Sequence, residues 1–259
     1  MTARLEINDN LAIITLARPG AHNALNRELK EAFLQAVQSV AKDDAVRAVL
    51  LTAEGKNFCV GQDLAEHVDA LRRDPSTAMN TVAEHYNPLI AALAGIEVPV
   101  VVAIPGACVG AGFGIALAGD IRVAGEKTTF ATAFTGIGLG SDSGLSHALV
   151  AALGPSRAAG LMLLGERITA AQALEWGLVH KVVADAEVVD TAHTLARQLA
   201  AGPTEAYREV KKLIAASNTG LAEALERERA SQQHLGQTHD HRAAVDAFLA
   251  KEKPVFSGS

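Results

Sequence analysis

The chain has 259 residues, 49% of them hydrophobic and 20% charged, which is the composition of a folded chain with a substantial core and excludes a disordered one. A formal net charge of −6 excludes a surface built for nucleic acid or anionic membrane, so an anionic ligand needs a local positive site made of backbone NH groups or a few Lys and Arg. Two cysteines, Cys59 and Cys108, imply no disulfide framework and fit a reducing, cytoplasmic compartment, and the opening Met1-Thr2-Ala3-Arg4-Leu5-Glu6 carries no apolar signal segment.

Taken in chain order, Arg4–Ile7 and Leu11–Leu16 read as strands around the turn Asn8-Asp9-Asn10. Asn26 reads as the N-cap of a helix reaching about Ala41, with Leu29, Phe33, Val37 and Val40 at helical spacing. Val46–Thr52 has the length and apolar character of a covered strand. Helices are predicted over Leu64–Arg73 and Pro75–Ala94, the second kinked or broken before Pro88. Val98–Gly119 runs 22 residues without a charge, enough to cross a bilayer. Its Pro99, Pro105 and glycines, and the lack of a basic flank, instead predict a buried strand at Val100–Ile104, a glycine-rich turn and a short helix at Gly112–Ala118.

Strands at Ile121–Ala124, Thr128–Phe130 and Leu178–Val183 then alternate with helices near Gly144–Leu153, Ser156–Leu163 and Ala170–Trp176. Beyond about Ala186 the strand signals fade, and amphipathic helices follow at Glu187–Ala201, Thr204–Ser217, Leu221–Leu235 and His239–Lys251. Such a tail is expected to cover the main domain or a neighbouring subunit. The class is α/β, with no clear tandem repeat.

Two glycine-containing turns follow buried strands: Phe58-Cys59-Val60-Gly61-Gln62-Asp63-Leu64, and Pro105-Gly106-Ala107-Cys108-Val109-Gly110-Ala111-Gly112. Each can aim a peptide NH into a pocket at a helix start, and two converging NH groups are what a developing oxyanion needs. The same small residues equally serve tight packing of strand on helix. The second turn fails as a dinucleotide fingerprint, because Ile115 takes the third glycine position. Gly138-Leu139-Gly140-Ser141-Asp142-Ser143-Gly144 puts one carboxylate in a small-residue turn before a helix, where Asp142 serves as an N-cap or, facing an apolar pocket, as a base or acid. A nucleophile elbow has Ser where Asp142 stands, and the spacing of His234, His239 and His241 fits no standard metal site.

Together these stretches resemble the crotonase (enoyl-CoA hydratase/isomerase) superfamily over essentially the whole chain. Arg18-Pro19-x-x-His22-Asn23-Ala24-Leu25 resembles its N-terminal signature, the two glycine turns resemble its oxyanion turns, and Thr169-Ala170-Ala171-Gln172-Ala173-Leu174-Glu175-Trp176-Gly177-Leu178-Val179 resembles its later helix-to-strand segment. Within it, Tyr86-Asn87-Pro88-Leu89, Gly110-Ala111-Gly112 and Ala133-Phe134 ahead of Asp142 look most like the ring-1,2-epoxyphenylacetyl-CoA isomerase branch.

The resemblance implies a crotonase-like spiral of ββα units over residues 1–195 and a helical C-terminal trimerisation region over 196–259, assembled as a homotrimer or a hexamer. It implies an acyl-CoA thioester as substrate and no cofactor, coenzyme A being part of the substrate. It places the catalytic NH donors at Gln62 and Ala111, a catalytic carboxylate at Asp142, and the acyl-CoA path along Val60, Gln62, Asp63, Leu64, Ala65 and Ala111. The two glutamates typical of hydratases are replaced by Gly114 and Phe134. One carboxylate suits an isomerase, which moves a proton between two carbons of a thioester dienolate. A hydratase or thioester hydrolase working with Asp142 alone, and a non-catalytic acyl-CoA-binding protein, are the alternatives.

Overall fold

The computed structural model describes residues 2–259. Its strands are β1 (Ala3–Asn8), β2 (Leu11–Leu16), β3 (Ala48–Ala53), β4 (Val100–Ile104), β5 (Ala107–Val109), β6 (Ile121–Gly125), β7 (Thr129–Ala131), β8 (Arg167–Thr169) and β9 (Lys181–Val183). Its α-helices are α1 (Arg27–Val40), α2 (Leu64–Arg73), α3 (Asn87–Ala94), α4 (Ala111–Leu117), α5 (Leu145–Leu164), α6 (Ala170–Glu175), α7 (Val188–Ala200), α8 (Thr204–Ala215), α9 (Leu221–Leu235) and α10 (His239–Ala250).

The hairpin β1–β2 turns on Asp9 and Asn10, both at positive φ, the conformation that suits a tight antiparallel connection. Every later neighbour in the six-stranded sheet β1-β2-β3-β4-β6-β9 is parallel. Parallel strands need cover on both faces, and the alternation along β3 and β4 supplies it. Val49, Leu51, Val100, Val102 and Ile104 enter the large core shared with Leu29, Phe33 and Val37 of α1. Ala48, Leu50, Val101 and Ala103 face the other way, against Val188, Ala192, Ala196 and Ala200, one every four residues along α7. An expected domain boundary at 195/196 therefore falls inside α7, a helix packed on the sheet. Farther along, buried Asp240 accepts hydrogen bonds from the Ser257 and Gly258 amides, and Arg47 donates to the Gly202 and Phe256 carbonyls.

A second, three-stranded sheet, β5-β7-β8, lies in the connections of the first. After β4 the chain passes through β5 into α4; after β6 it passes through β7 and on to α5. The same order holds after β3, where a single parallel bridge from Cys59 to Cys108 stands in for the second strand before α2. These are three ββα turns in succession.

Several local expectations shift. The helix expected from Pro75 does not begin there: Asp74 Oδ1 accepts from the Ser76 amide and hydroxyl, and residues 75–80 form turns. A π-helical turn, Val82–Tyr86, follows, and its Asn87 amide reaches back to the Val82 carbonyl. That wider turn runs straight into α3, and Pro88, which has no NH to give to the preceding turn, sits just after it. The expected Val98–Gly119 sequence of buried strand, turn and helix is found, with β5 an addition inside the turn. The strand expected at Leu178–Val183 is shorter, Lys181–Val183, and β8 had no sequence signal. One helix, α5, has the length and apolarity to span a bilayer, but Gly154 (φ 74, ψ 165) followed by Pro155 breaks it into the two shorter helices the sequence predicts.

Candidate active site

The two glycine turns are zipped together by backbone hydrogen bonds. The Phe58 amide donates to the Pro105 carbonyl at 2.7 Å, Cys59 to Ala107 at 3.2 Å, and Val109 to Cys59 at 2.9 Å. The approach demands glycine at 112, because a Cβ there would lie 2.5 Å from the Cys59 carbonyl oxygen. Burial pushes the Cys59 thiol up to about 12, so this cysteine is a packing element and no nucleophile.

Beyond the zipper, Gly61 (φ 88) swings the first turn over Gly110 (φ 57, ψ −124) of the second. The Leu25 amide bonds the Gly61 carbonyl at 2.8 Å, and the Asp63 amide bonds the Leu25 carbonyl at 3.3 Å. This pairing straddles Gln62 and leaves its own NH out of the ladder. Ala111 is the first residue of α4, so its NH has no intrahelical acceptor. Among the described residues neither NH has a hydrogen-bond partner. A Cβ built on Gly61 would lie 3.5 Å from the Ala111 nitrogen, so the two free donors belong to adjoining backbone.

Both donors border a cavity of about 270 Å³. Its lining comes from the matching corner of the three ββα turns, Val60–Gln62, Val109–Ala111 and Thr132–Phe134, closed by Leu64, Met79, Ile137 and Leu139. Asp142 is the one carboxylate in this lining among the described residues; Tyr86 and His67 are its other titratable groups.

Asp142 is held by an unusual turn. Ser143 (φ 53) and Gly144 (φ 66) are both left-handed, the Leu145 amide donates to the Asp142 carbonyl at 3.0 Å, and the Ser143 hydroxyl donates to Asp142 Oδ1 at 2.8 Å. A non-glycine residue in that region is strained, and buried Ser143 keeps it. The turn seats on Gly114 of α4, where a Cβ would come within 2.5 Å of the Ser143 carbonyl oxygen. Helix α4 thus presents one NH donor at its start and the seat of the carboxylate one turn later. Burial raises the Asp142 pKa above the usual carboxylate range, opposed by the Ser143 hydrogen bond and the Lys30 charge. The Tyr86 hydroxyl donates to Gln62 Oε1 at 2.5 Å; burial and the nearby Asp142 carboxylate push its pKa far up, so it stays protonated.

Of the residues singled out from the sequence, Val60, Gln62, Leu64, Ala111 and Asp142 line the cavity together. Asp63 and Ala65 do not: Asp63 caps α2, accepting from the Ala65 and Glu66 amides, and pairs with Arg18 at 2.6 Å. Tyr86, which entered from the sequence only within the stretch resembling the isomerase branch, lines the cavity, as do Thr81, Met79 and His67. The π turn rotates Tyr86 off the face that regular helical spacing assigns it, and no sequence period carries that signal. At the two positions where the resemblance expects hydratase glutamates, Gly114 has no room for a side chain, and the Phe134 ring reaches 3.9 Å from where a Gly110 Cβ would stand.

A buried base with two converging NH donors in an apolar cavity can deprotonate carbon next to a carbonyl and stabilise the enolate. Comparison with known proteins agrees. The family model described as enoyl-CoA hydratase/isomerase matches residues 6–259. The 1,2-epoxyphenylacetyl-CoA isomerase of Escherichia coli is 39% identical over 254 residues, 97% of each chain. A protein of Rhodobacter capsulatus named "Probable enoyl-CoA hydratase" is 38% identical over 258 residues, 99% of this chain and 98% of its own. A Mycobacterium abscessus crystal structure assigned to the enoyl-CoA hydratase/isomerase group superposes with a TM-score of 0.98 at 55% identity, covering 99% of this chain and 100% of that one. Fold, site and relatives agree: the chain has the crotonase fold and belongs to the enoyl-CoA hydratase/isomerase family.

Proposed function

We propose that the enzyme is an acyl-CoA isomerase, acting on an enoyl-CoA or epoxyphenylacetyl-CoA type of substrate. The Gln62 and Ala111 amides hold the thioester oxygen, Asp142 removes a proton from the acyl chain, and the (di)enolate waits in the oxyanion hole until the same carboxyl returns the proton to another carbon. The observation that carries this reading is the single carboxylate: hydration needs one group to activate water and another to deliver the proton, and among the described residues Asp142 is the one carboxyl in the cavity lining. Tyr86, held protonated and bonded to Gln62, is not a free base. The apolar lining keeps water from competing for the enolate. The relative named an isomerase supports the assignment, and hydratase names among relatives keep hydration as the second reading.

The assembly in this reading is a cytoplasmic homotrimer or dimer of trimers built on the C-terminal helices, whose exposed Ile214, Leu221, Phe248 and Leu249 form apolar surface of the kind subunits cover. The deciding experiment gives wild type and Asp142→Asn 3-enoyl-CoA and 2-enoyl-CoA separately and identifies products by mass and ultraviolet absorbance. Interconversion without added water by wild type alone upholds the isomerase. A product heavier by one water establishes the hydratase instead, and binding without turnover of these esters and of an epoxyphenylacetyl-CoA makes the chain an acyl-CoA-binding protein.

A further inference from the structure

Helix α1 carries a lysine into the interior. Lys30 is 1% exposed, on the helix side that also buries Phe33 and Val37. A buried ammonium is stable only when its three protons and its charge find partners. Here it donates to Thr81 Oγ1 at 2.6 Å, to Glu66 Oε1 at 2.9 Å and to Gln62 Oε1 at 3.3 Å, and lies 5.3 Å from the Tyr86 ring centroid. Gln62 Nε2 donates in turn to Glu66 Oε1 at 3.1 Å. Gln62, Thr81 and Tyr86 all line the cavity, whereas no Lys or Arg does among the described residues. A fixed positive charge therefore stands directly behind the wall of an otherwise cation-free cavity.

We propose that Lys30 is a positioning residue for the enolate: it clamps the Gln62 side chain, so that the Gln62 amide stays aimed into the cavity, and sets a buried positive charge behind the wall that the developing oxyanion faces. The proposal rests on reading the cavity as a thioester-enolate site and holds for isomerase and hydratase alike. Its partner does not cancel it, because the Glu66 side chain is one-third exposed and solvated while Lys30 is not. The other titratable groups around it are Tyr86 and His85 of the π turn, Glu31 of α1, Asp63 before α2 and Asp142 across the cavity; His85 bonds Thr81 at 3.3 Å and lies 3.8 Å from Glu31. The Lys30 charge already counteracts burial at Asp142, so its field crosses the cavity.

The test uses acetoacetyl-CoA, a β-keto thioester whose enolate absorbs in the near ultraviolet, so enolisation in the site is read against pH without turnover. Wild type is compared with Lys30→Met and Glu66→Gln. Both variants abolish the same ion pair but change the local charge in opposite directions. Lys30→Met is expected to move enolisation of the bound probe to higher pH and to cut kcat about tenfold with KM little changed. Glu66→Gln is expected to move it to lower pH. The acidic limb of the pH–rate profile should follow the same directions. A purely structural Lys30 would shift both variants alike, and that result, or no shift in either, overturns the proposal. Should Lys30→Met fail to fold, Glu66→Gln decides alone: an unchanged or raised enolisation pH is fatal. A probe left unenolised by wild type defeats the enolate-site reading and this proposal with it, whereas an enolised probe without isomerised product leaves the proposal standing and only the reaction assignment wrong.

Discussion

Alanine at Gly114 isolates the contact that holds the carboxylate proposed as the base, Asp142. By local propensity the change should help, since Gly in a helix interior is about 1 kcal/mol worse than Ala. Tertiary contact says the reverse. The added Cβ would lie 2.5 Å from the Ser143 carbonyl oxygen, 2.7 Å from its Cβ and 3.2 Å from its carbonyl carbon. Restoring the 3.4 Å of ordinary contact asks Ser143 to retreat by about 0.9 Å. No rotamer change can provide that, because most of the obstruction is backbone, buried and already at φ 53. Asp142 is the residue before it and must move with it. Overpacking of this kind costs about 1–3 kcal/mol, so after the gain in propensity a net loss of up to about 2 kcal/mol and a Tm lower by as much as a few degrees are expected. A base displaced by about 1 Å loses on the order of 10² in rate. The assay is kcat on an enoyl-CoA, with acyl-CoA Kd and Tm measured on the same preparations. Gly160→Ala is the control, a helix glycine with nothing within 4 Å of an added Cβ, and should hold or raise Tm at full activity. Wild-type kcat in Gly114→Ala would refute the claim that α4 seats the carboxylate.

Two further outcomes follow from strained or desolvated groups. Asp142→Asn should raise Tm at neutral pH while abolishing turnover: with its pKa raised in the fold, the native state holds a proton that the unfolded chain has released, so wild-type stability falls as pH rises through that window and stays lower above it. The Tm difference should therefore vanish below the ordinary carboxylate pKa, and a constant difference at all pH values would contradict the burial argument; for the same reason the acid limb of wild-type kcat should lie above the usual carboxylate range. Ala133→Gly relieves a left-handed alanine (φ 58) and is expected to stabilise by up to about 1 kcal/mol, read by urea unfolding, with a loss of stability counting against backbone strain there.

The parts of the fold visible in the sequence are those fixed by local pattern. The Asn26 cap and its apolar helix, the Val100–Ile104 strand and the break before Ser156 emerge where residue chemistry alone demands them. Asp142 stood out from its own small-residue turn, Gln62 and Ala111 were fixed as donors through resemblance, and the glycines explain why the motif is legible: each close approach admits one residue type. Lys30 was not found, and Tyr86 stood out only as part of a resembling stretch, with packing or exposure favoured over a place in a pocket. A tyrosine in a π turn and a lysine on an apolar helix face look, in sequence, like a misphased helix residue and a solvated charge, because what defines them is partners 24 to 51 residues away. The strands β5 and β8 were missed because β5 lies inside a glycine turn and β8 runs straight into α6, so neither is set off from its neighbours by an apolar run, as β7 and β9 are.

No tandem repeat is visible in the sequence, yet the cavity is made three times over at the same corner of successive ββα turns. Val60-Gly61-Gln62, Val109-Gly110-Ala111 and Thr132-Ala133-Phe134 share no residue type throughout, and a dihedral is what recurs: the middle residue has φ of 88, 57 and 58. A left-handed residue at the end of a short strand reverses the chain sharply and takes the following residue out of the ladder. In the first two turns that frees a peptide NH at the cavity wall, and glycine meets the dihedral without strain. In the third the strain is borne by Ala133, and the residue that follows places an aromatic ring beside the second turn. The repeated feature is thus a positive φ at the middle residue, with different side chains on either side of it. One spiral thereby presents two donors from two of its turns and an apolar wall from the third, with the Asp142 carboxylate that α4 seats facing all three across the cavity.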